Sequence, residues 1–268
     1  IPEGVDGNIF KPPSGSKKKN KFQFVIVGRW DYRKGVKESI EGFLKAFPNN
    51  QNVELLLNVE NPFPVDGMNS TEERLKYYNL EDNRIKILKF LNRKEYINLL
   101  QNSDALISCA RSEGWNLPLI EALACGTPSI YTKCSGQLEF TKGKGLGVEV
   151  LGEEPATNNE NLSYEHNIPG NFYTPDFNSL VNRIKDVYSN YNVWKKWHLQ
   201  YSKELREEFS WKNQSIKAYK RLQQIDLTSL PQKPYLEVNF VDGPYVCLRN
   251  AKQEYTVDFI NQNTGKNE

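Results

Sequence analysis

Apolar residues in this chain follow two rhythms that alternate along its length. Short runs rich in branched and aromatic residues read as β-strands: Phe22 to Gly28, Val53 to Val59, Arg84 to Leu88, Ala105 to Cys109, Ser129 to Thr132 and Gly147 to Val150. Between them, Val36 to Phe47 carries Val36, Ile40, Phe43, Leu44 and Phe47 at helical spacing, and Arg93 to Gln101 and Pro118 to Cys125 read likewise as helices. Strand and helix in alternation predict an α/β chain, a Rossmann-like doubly wound parallel sheet with helices on both faces. Ligands of such sheets bind beyond the carboxyl ends of the strands. Arg29, Lys34 and the loop holding Glu113 all follow predicted strands, so the topology gathers them on one rim.

The second half of the chain changes character twice. From Gly152 to Tyr173 it turns polar, with Asn158, Asn159 and Asn161, and reads as an excursion from the sheet. Amphipathic helices are predicted over Phe177 to Tyr188, Val193 to Phe209 and Trp211 to Ile225, with Trp194, Trp197 and Trp211 as packing residues. Tyr235 to Val241 then alternates with period two, Asp242-Gly243-Pro244 can turn, and Tyr255 to Ile260 reads as a further strand. The expected organisation is an α/β lobe over residues 1–225 and a linker with a partial β-rich module over 226–268.

Composition narrows the function classes. Lys and Arg total 35 against 33 Asp and Glu, a formal charge of +2, so no broad polyanion-binding surface and no nucleic-acid partner is implied. Lys17-Lys18-Lys19 reads as a solvated loop. The four cysteines, Cys109, Cys125, Cys134 and Cys247, lack metal-ligand spacing and suit reduced thiols, hence a cytoplasmic chain, with peripheral attachment at the inner membrane face left open. No run reaches the roughly 20 apolar residues of a transmembrane helix. A start at Ile1 in linker-like sequence is expected of a piece of a longer protein, so the lack of a leader says little about the parent.

The segment from Arg111 to Gly126 carries the chemistry. It places Glu113 and Glu121, with seven residues between them, on either side of Pro118. Proline fits the first helical turn, where its missing N–H would be unpaired anyway. The free N–H groups around Asn116 and Leu117 then form a helix start that attracts anions, with Gly114 permitting close approach of a phosphate. A phosphate flanked by two hydroxyl-binding carboxylates describes a nucleotide sugar. No two aspartates stand two apart as in a metal-holding Asp-x-Asp pair, so Arg29 and Lys34 are the natural cations for charge building on a leaving diphosphate. The plainer reading of Arg29 is a pair with Asp31.

Taken with Gly126-Thr127-Pro128, this segment closely resembles the glutamate-seven-glutamate motif of retaining glycosyltransferases of the GT-B fold, in particular glycosyltransferase family 4. A strand ending in Gly28-Arg29 and followed by Lys34-Gly35 is similar to that family's second mark, and Ile1 to Asp6 looks like the linker into its second lobe. The resemblance implies the C-terminal, donor-binding lobe of a metal-independent enzyme that transfers a hexose-type sugar from a UDP, GDP or ADP sugar to a glycan, lipid or protein. It implies that Arg29 and Lys34 contact the diphosphate, Glu121 the ribose hydroxyls, and Glu113 the transferred sugar. Gly28 and the backbone of Gly114, Trp115, Asn116 and Leu117 would lie at the donor. Ser135 to Glu139 matches another loop near the donor, and Lys89-Phe90-Leu91 follows a strand where the family holds the base. No cofactor or metal is expected. The first lobe, which usually holds the acceptor, is not in this sequence, so donor binding without substantial transfer is expected. A noncatalytic nucleotide-sugar or partner-binding module, and a GT-B enzyme of another reaction type such as an epimerase or phosphorylase, remain open.

Overall fold

The computed structural model describes residues 2–15, 19–156 and 170–224 and the backbone of 236–240, 246–250 and 253–254. The chain divides into two compact units, Ile1–Lys217 and Ala218–Glu268. In order, the elements are β1 (Phe22–Val27), α1 (Val36–Ala46), β2 (Val53–Asn58), α2 (Thr71–Tyr77), β3 (Ile85–Ile87), α3 (Arg93–Asn102), β4 (Ala105–Ser108), α4 (Leu117–Ala124), β5 (Ser129–Thr132), a 3-10 turn (Ser135–Gln137) running into α5 (Leu138–Thr141), β6 (Leu146–Val148), β7 (Val150–Pro155), β8 (Asn171–Pro175), α6 (Phe177–Ser189), α7 (Tyr191–Glu208), α8 (Trp211–Gln223), β9 (Leu236–Phe240), β10 (Val246–Asn250) and β11 (Gln253–Glu254).

The first six strands form one parallel sheet in the order β3-β2-β1-β4-β5-β6. This is the doubly wound arrangement the alternating pattern predicts. Period-two side chains explain its two cores. Phe24 and Ile26 of β1, with Ala105 and Ile107 of β4, enter a cluster with Val36, Ile40 and Phe43 of α1 and Leu180 and Ile184 of α6. Val25 and Leu106, one residue out of phase, face Leu119, Ile120 and Leu123 of α4 and Leu205 of α7. The strand order reverses between β1 and β4, which pair with each other through Phe24–Ala105 and Val25–Leu106. At such a switch point the loops after the two strands part and leave a crevice.

Several expectations shift. The strand expected over Gly147 to Val150 ends at Val148, and Val150 already begins β7. The polar excursion is an antiparallel arm, β7 with β8, outside the main sheet. Helix α2 was not anticipated; Ser70 caps it by accepting the Glu73 N–H at 3.1 Å. Trp194 packs partly buried on the first core, whereas Trp211 is 53% exposed and packs only at the surface, its ring against Gly4. Lys19 forms an ion pair with Asp104 at 2.8 Å and is therefore not simply solvated; Lys17 and Lys18 lie outside the described residues. In the second unit β9, β10 and β11 form an antiparallel sheet. The turn expected at Asp242 to Pro244 and the strand expected over Tyr255 to Ile260 lie outside the described residues.

Candidate functional site

The loops after β1 and β4 meet at the switch point. Gly28 follows β1, its N–H donating to the Asn58 carbonyl at 3.1 Å, and the Trp30 N–H donates to the carbonyl of Val59, just after β2, at 2.8 Å. Asp31, buried, accepts the backbone N–H of Lys34 at 2.7 Å and so sets the turn into α1. Gly35 caps that helix in the left-handed conformation, φ 62°, where a Cβ would stand 2.1 Å from the Cys109 carbonyl oxygen of the neighbouring loop. The close approach of these two loops therefore depends on glycine.

That approach brings Lys34 and Glu113 into contact. Lys34 Nζ donates to Glu113 Oε1 at 2.6 Å, and Glu113 Oε2 lies 3.0 Å from Arg33 Nη1. The Glu113 side chain is only 7% exposed, so the two cations compensate a buried carboxylate. Arg33 was not singled out from sequence; its only signal there is its place beside Lys34. Arg29 is 48% exposed and lies 3.8 Å from Oδ2 of the buried Asp31, a long contact that leaves most of the guanidinium to solvent. The plainer reading of Arg29 thus matches the geometry, and its guanidinium remains accessible.

The loop before α4 is built from below. Ser135 Oγ accepts the Glu113 N–H at 2.9 Å, and the Gly136 N–H donates to the Glu113 carbonyl at 3.1 Å. Asn116 stands in the left-handed region, φ 71°, tolerated by asparagine. Its amide does not cap the helix; it donates to Ser108 Oγ at 3.0 Å and Gln137 Oε1 at 2.7 Å. Helix α4 begins at Leu117 with Pro118 next, as expected. The N–H groups of Leu119 and Ile120 both go to the Asn116 carbonyl, and among the described residues no protein acceptor pairs with the N–H groups of residues 114 to 117. Unpaired donors at a helix start, together with the helix dipole, favour negative charge. A Cβ on Gly114 would meet nothing within 4 Å. Trp115 turns its ring inward against Phe140 and Phe209, at 5.1 and 5.9 Å, and Leu117 is 44% exposed, so both bring backbone rather than side-chain chemistry to the tip.

Glu121 sits on the α3 flank of the helix. Its Oε2 accepts the Tyr96 hydroxyl at 2.5 Å, and burial raises its carboxyl above the ordinary value, opposed by Tyr96 and by Arg93. Tyr96 therefore already engages one of the two oxygens the sequence reading assigned to a ribose. The structure joins Lys34, Arg33 and Glu113 directly; Arg29 and Glu121 have separate partners.

Behind the site, Arg111 gathers three elements. It meets Glu38 of α1 at 2.5 Å and Glu154 of β7 at 3.4 Å, and it stacks 4.1 Å over the Tyr32 ring. Tyr173 of β8 donates its N–H to the Arg111 carbonyl at 3.0 Å. Burial pushes the thiols of Cys109 and Cys125 up to about 12, which leaves them protonated and unsuited to act as nucleophiles. Among the described residues, no group of three His, Cys, Asp or Glu could hold a metal ion, and no helix is long and apolar enough to cross a membrane. A cavity of about 280 Å³ lies at the opposite, amino edge of the sheet, beside Lys19, Asp104, Tyr191 and Lys195, and none of the expected site residues lines it.

The chain is similar to known proteins over most of this lobe. It is 24% identical over 208 residues to a phosphatidylinositol N-acetylglucosaminyltransferase subunit of Arabidopsis thaliana, an alignment covering 77% of this chain and 44% of that protein. It spans less than half the length of the curated relatives it matches. Among solved structures, it resembles the C-terminal domain of a glycosyl transferase group 1 family protein (LpcC) from Francisella tularensis, with a TM-score of 0.56 and 21% identity over 75% of this chain and 96% of that one. It also resembles HepE of Anabaena in complex with UDP-glucose, with a TM-score of 0.57 and 19% identity over 83% of this chain and 56% of that one. The fold is common to both. A family model described as glycosyl transferases group 1 matches residues 8–160, more than half of the chain, and the chain belongs to that family.

Proposed function

We propose that this chain is the donor-binding lobe of a retaining GT-B glycosyltransferase of family 4, and that it binds a nucleoside-diphosphate hexose at the β1/β4 switch point. One observation carries the reading: Lys34 and Glu113, from loops after two adjacent strands, touch at 2.6 Å beside a helix start whose N–H groups have no protein partner among the described residues. Those N–H groups, Lys34 and Arg29 would hold the diphosphate, and Glu121 the ribose. Glu113 would take hydroxyls of the transferred sugar and align its anomeric carbon. In the transfer, the bond from that carbon to the diphosphate oxygen breaks while its bond to the acceptor oxygen forms on the same face. The acceptor proton passes to the departing phosphate oxygen. Fixed cations and backbone donors aimed at that oxygen lower the barrier, and on this reading they replace a divalent metal.

Support for a sugar donor comes from the family and from HepE, whose structure holds UDP-glucose. The Arabidopsis relative is named for N-acetylglucosaminyl transfer and phosphatidylinositol, which keeps a lipid among the candidate acceptors. We place the site on the cytoplasmic side, in keeping with three buried free thiols, with peripheral contact to the inner membrane face where the acceptor is a lipid. In this reading the lobe supplies the donor half of a two-lobe cleft. Titration calorimetry with UDP, GDP and ADP sugars is expected to show saturable binding of one of them, and folded chain that gives no heat with any would overturn the proposal.

A further inference from the structure

Arg33 and Lys34 both reach Glu113, but they are held differently. Arg33 Nη1 is shared between Glu113 Oε2, at 3.0 Å, and the Ser112 carbonyl, at 2.7 Å, while the Arg33 carbonyl accepts the Arg111 N–H at 2.7 Å. The guanidinium is therefore fixed against the loop that carries Glu113. Lys34 Nζ meets Glu113 Oε1, and among the described residues it has no other polar partner. A guanidinium is a planar fork suited to a standing pair, and an ammonium on a four-carbon stem is a movable point charge. A diphosphate arriving at the tip of α4 draws Lys34 toward itself, which takes away one of the two cations that compensate a carboxylate only 7% exposed. A buried charge that loses its last partner is expensive.

We infer that Arg33 is a positioning residue: it is the stationary counter-ion of Glu113 and so frees Lys34 to leave that carboxylate for the diphosphate. The inference rests on the donor reading above and adds to it a residue that acts through Glu113 and does not touch the donor.

The test is a thermodynamic cycle read by calorimetry, with folding checked by circular dichroism. UDP, GDP and ADP are titrated into the unmodified chain, and the one that binds becomes the probe for Arg33→Gln, Glu113→Gln and the double variant. Arg33→Gln alone leaves Lys34 as the sole partner of Glu113, and the affinity is expected to fall about tenfold or more, about 1.4 kcal/mol. In the Glu113→Gln background no buried charge competes for Lys34, so adding Arg33→Gln should change affinity less than about threefold. Equal losses in both backgrounds, or no loss in either, overturn the inference, since a direct phosphate contact or a purely structural role would not depend on the Glu113 charge. If the unmodified folded chain binds none of the three, the donor reading itself fails. Should Arg33→Gln not fold, Arg33→Met takes its place in the same cycle; a loss of about tenfold or more that shrinks below about threefold in the Glu113→Gln background is again expected, and equal losses in both backgrounds or none in either overturn the proposal.

Discussion

Two glycines in the candidate site look interchangeable in sequence and have opposite surroundings, which makes them a sharp test. Gly114 lies on the loop before α4, outside the left-handed region, and a Cβ built on it meets no protein atom within 4 Å. Gly114→Ala should therefore leave the fold intact, or stabilise it by about 0.4–1 kcal/mol by restricting the unfolded chain. For a unit spanning Ile1–Lys217 that is a rise in Tm of about 1–4 °C. If a phosphate rests against this backbone, the added methyl occupies its place. Overpacking of about 1–3 kcal/mol corresponds to a loss of affinity of roughly five- to 150-fold for the nucleoside diphosphate. Gly136 is the control. Its Cβ would stand 1.9 Å from the Gly114 carbonyl oxygen and 2.7 Å from its carbon, inside the turn that holds Glu113. Gly136→Ala should cost about 1–3 kcal/mol of stability and lower Tm by about 2–12 °C. Differential scanning calorimetry reads the first quantity and isothermal titration the second. Full donor affinity in Gly114→Ala, with the unmodified chain binding normally, would refute the placement of the phosphate at this tip.

Two further outcomes concern titrating groups. Tyr96→Phe removes the hydroxyl that donates to Glu121 at 2.5 Å. The Glu121 carboxyl already lies above its unfolded value of about 4.5, so its contribution to stability is fully present below that pH and is lost as pH rises through the folded value. Losing the hydroxyl raises the folded value further, so urea denaturation should show a cost of about 1.5–3 kcal/mol at pH 7 that shrinks towards pH 4; a cost independent of pH would contradict this account. His198 is buried, accepts the Ser129 N–H on Nε2 at 3.3 Å, and is pushed by burial down to about 4. Its contribution is present above about 6.5 and is lost as pH falls towards 4, by roughly 3 kcal/mol in all. His198→Gln should flatten stability over that window, and an unchanged acid slope in stopped-flow or equilibrium unfolding would remove the assignment.

The central strands were readable because burial on both faces leaves a plain mark: Phe24, Val25 and Ile26 are all apolar and all buried, yet they serve different cores. The start of α4 was readable for a local reason, the fixed φ of Pro118. What escaped depends on contacts between distant residues. Tyr96 and Glu121 belong to different helices, and nothing local in either segment announces their hydrogen bond. Arg33 reads as one more surface cation until the fold sets it against Ser112 and Glu113. Helix α2 was hidden because its buried residues, Thr71, Arg74 and Leu75, show almost no apolar stripe. Its capping signal, Ser70 followed three residues later by Glu73, was nevertheless available. The β7 and β8 arm buries only Phe172 among its strand residues, so no hydrophobic alternation marks it.

The clasp at Arg111 ties that arm down near its far end. Because β7 reaches it through Glu154 and β8 through the Tyr173 N–H, both strands are fastened, close to where they pass into residues 156–170, to the loop that continues into Glu113. Sequence inserted or deleted between Pro155 and Asn171 can then change length and character without displacing the carboxylate. A lineage built on this lobe has room there to try new recognition surfaces while its chemistry stays in register.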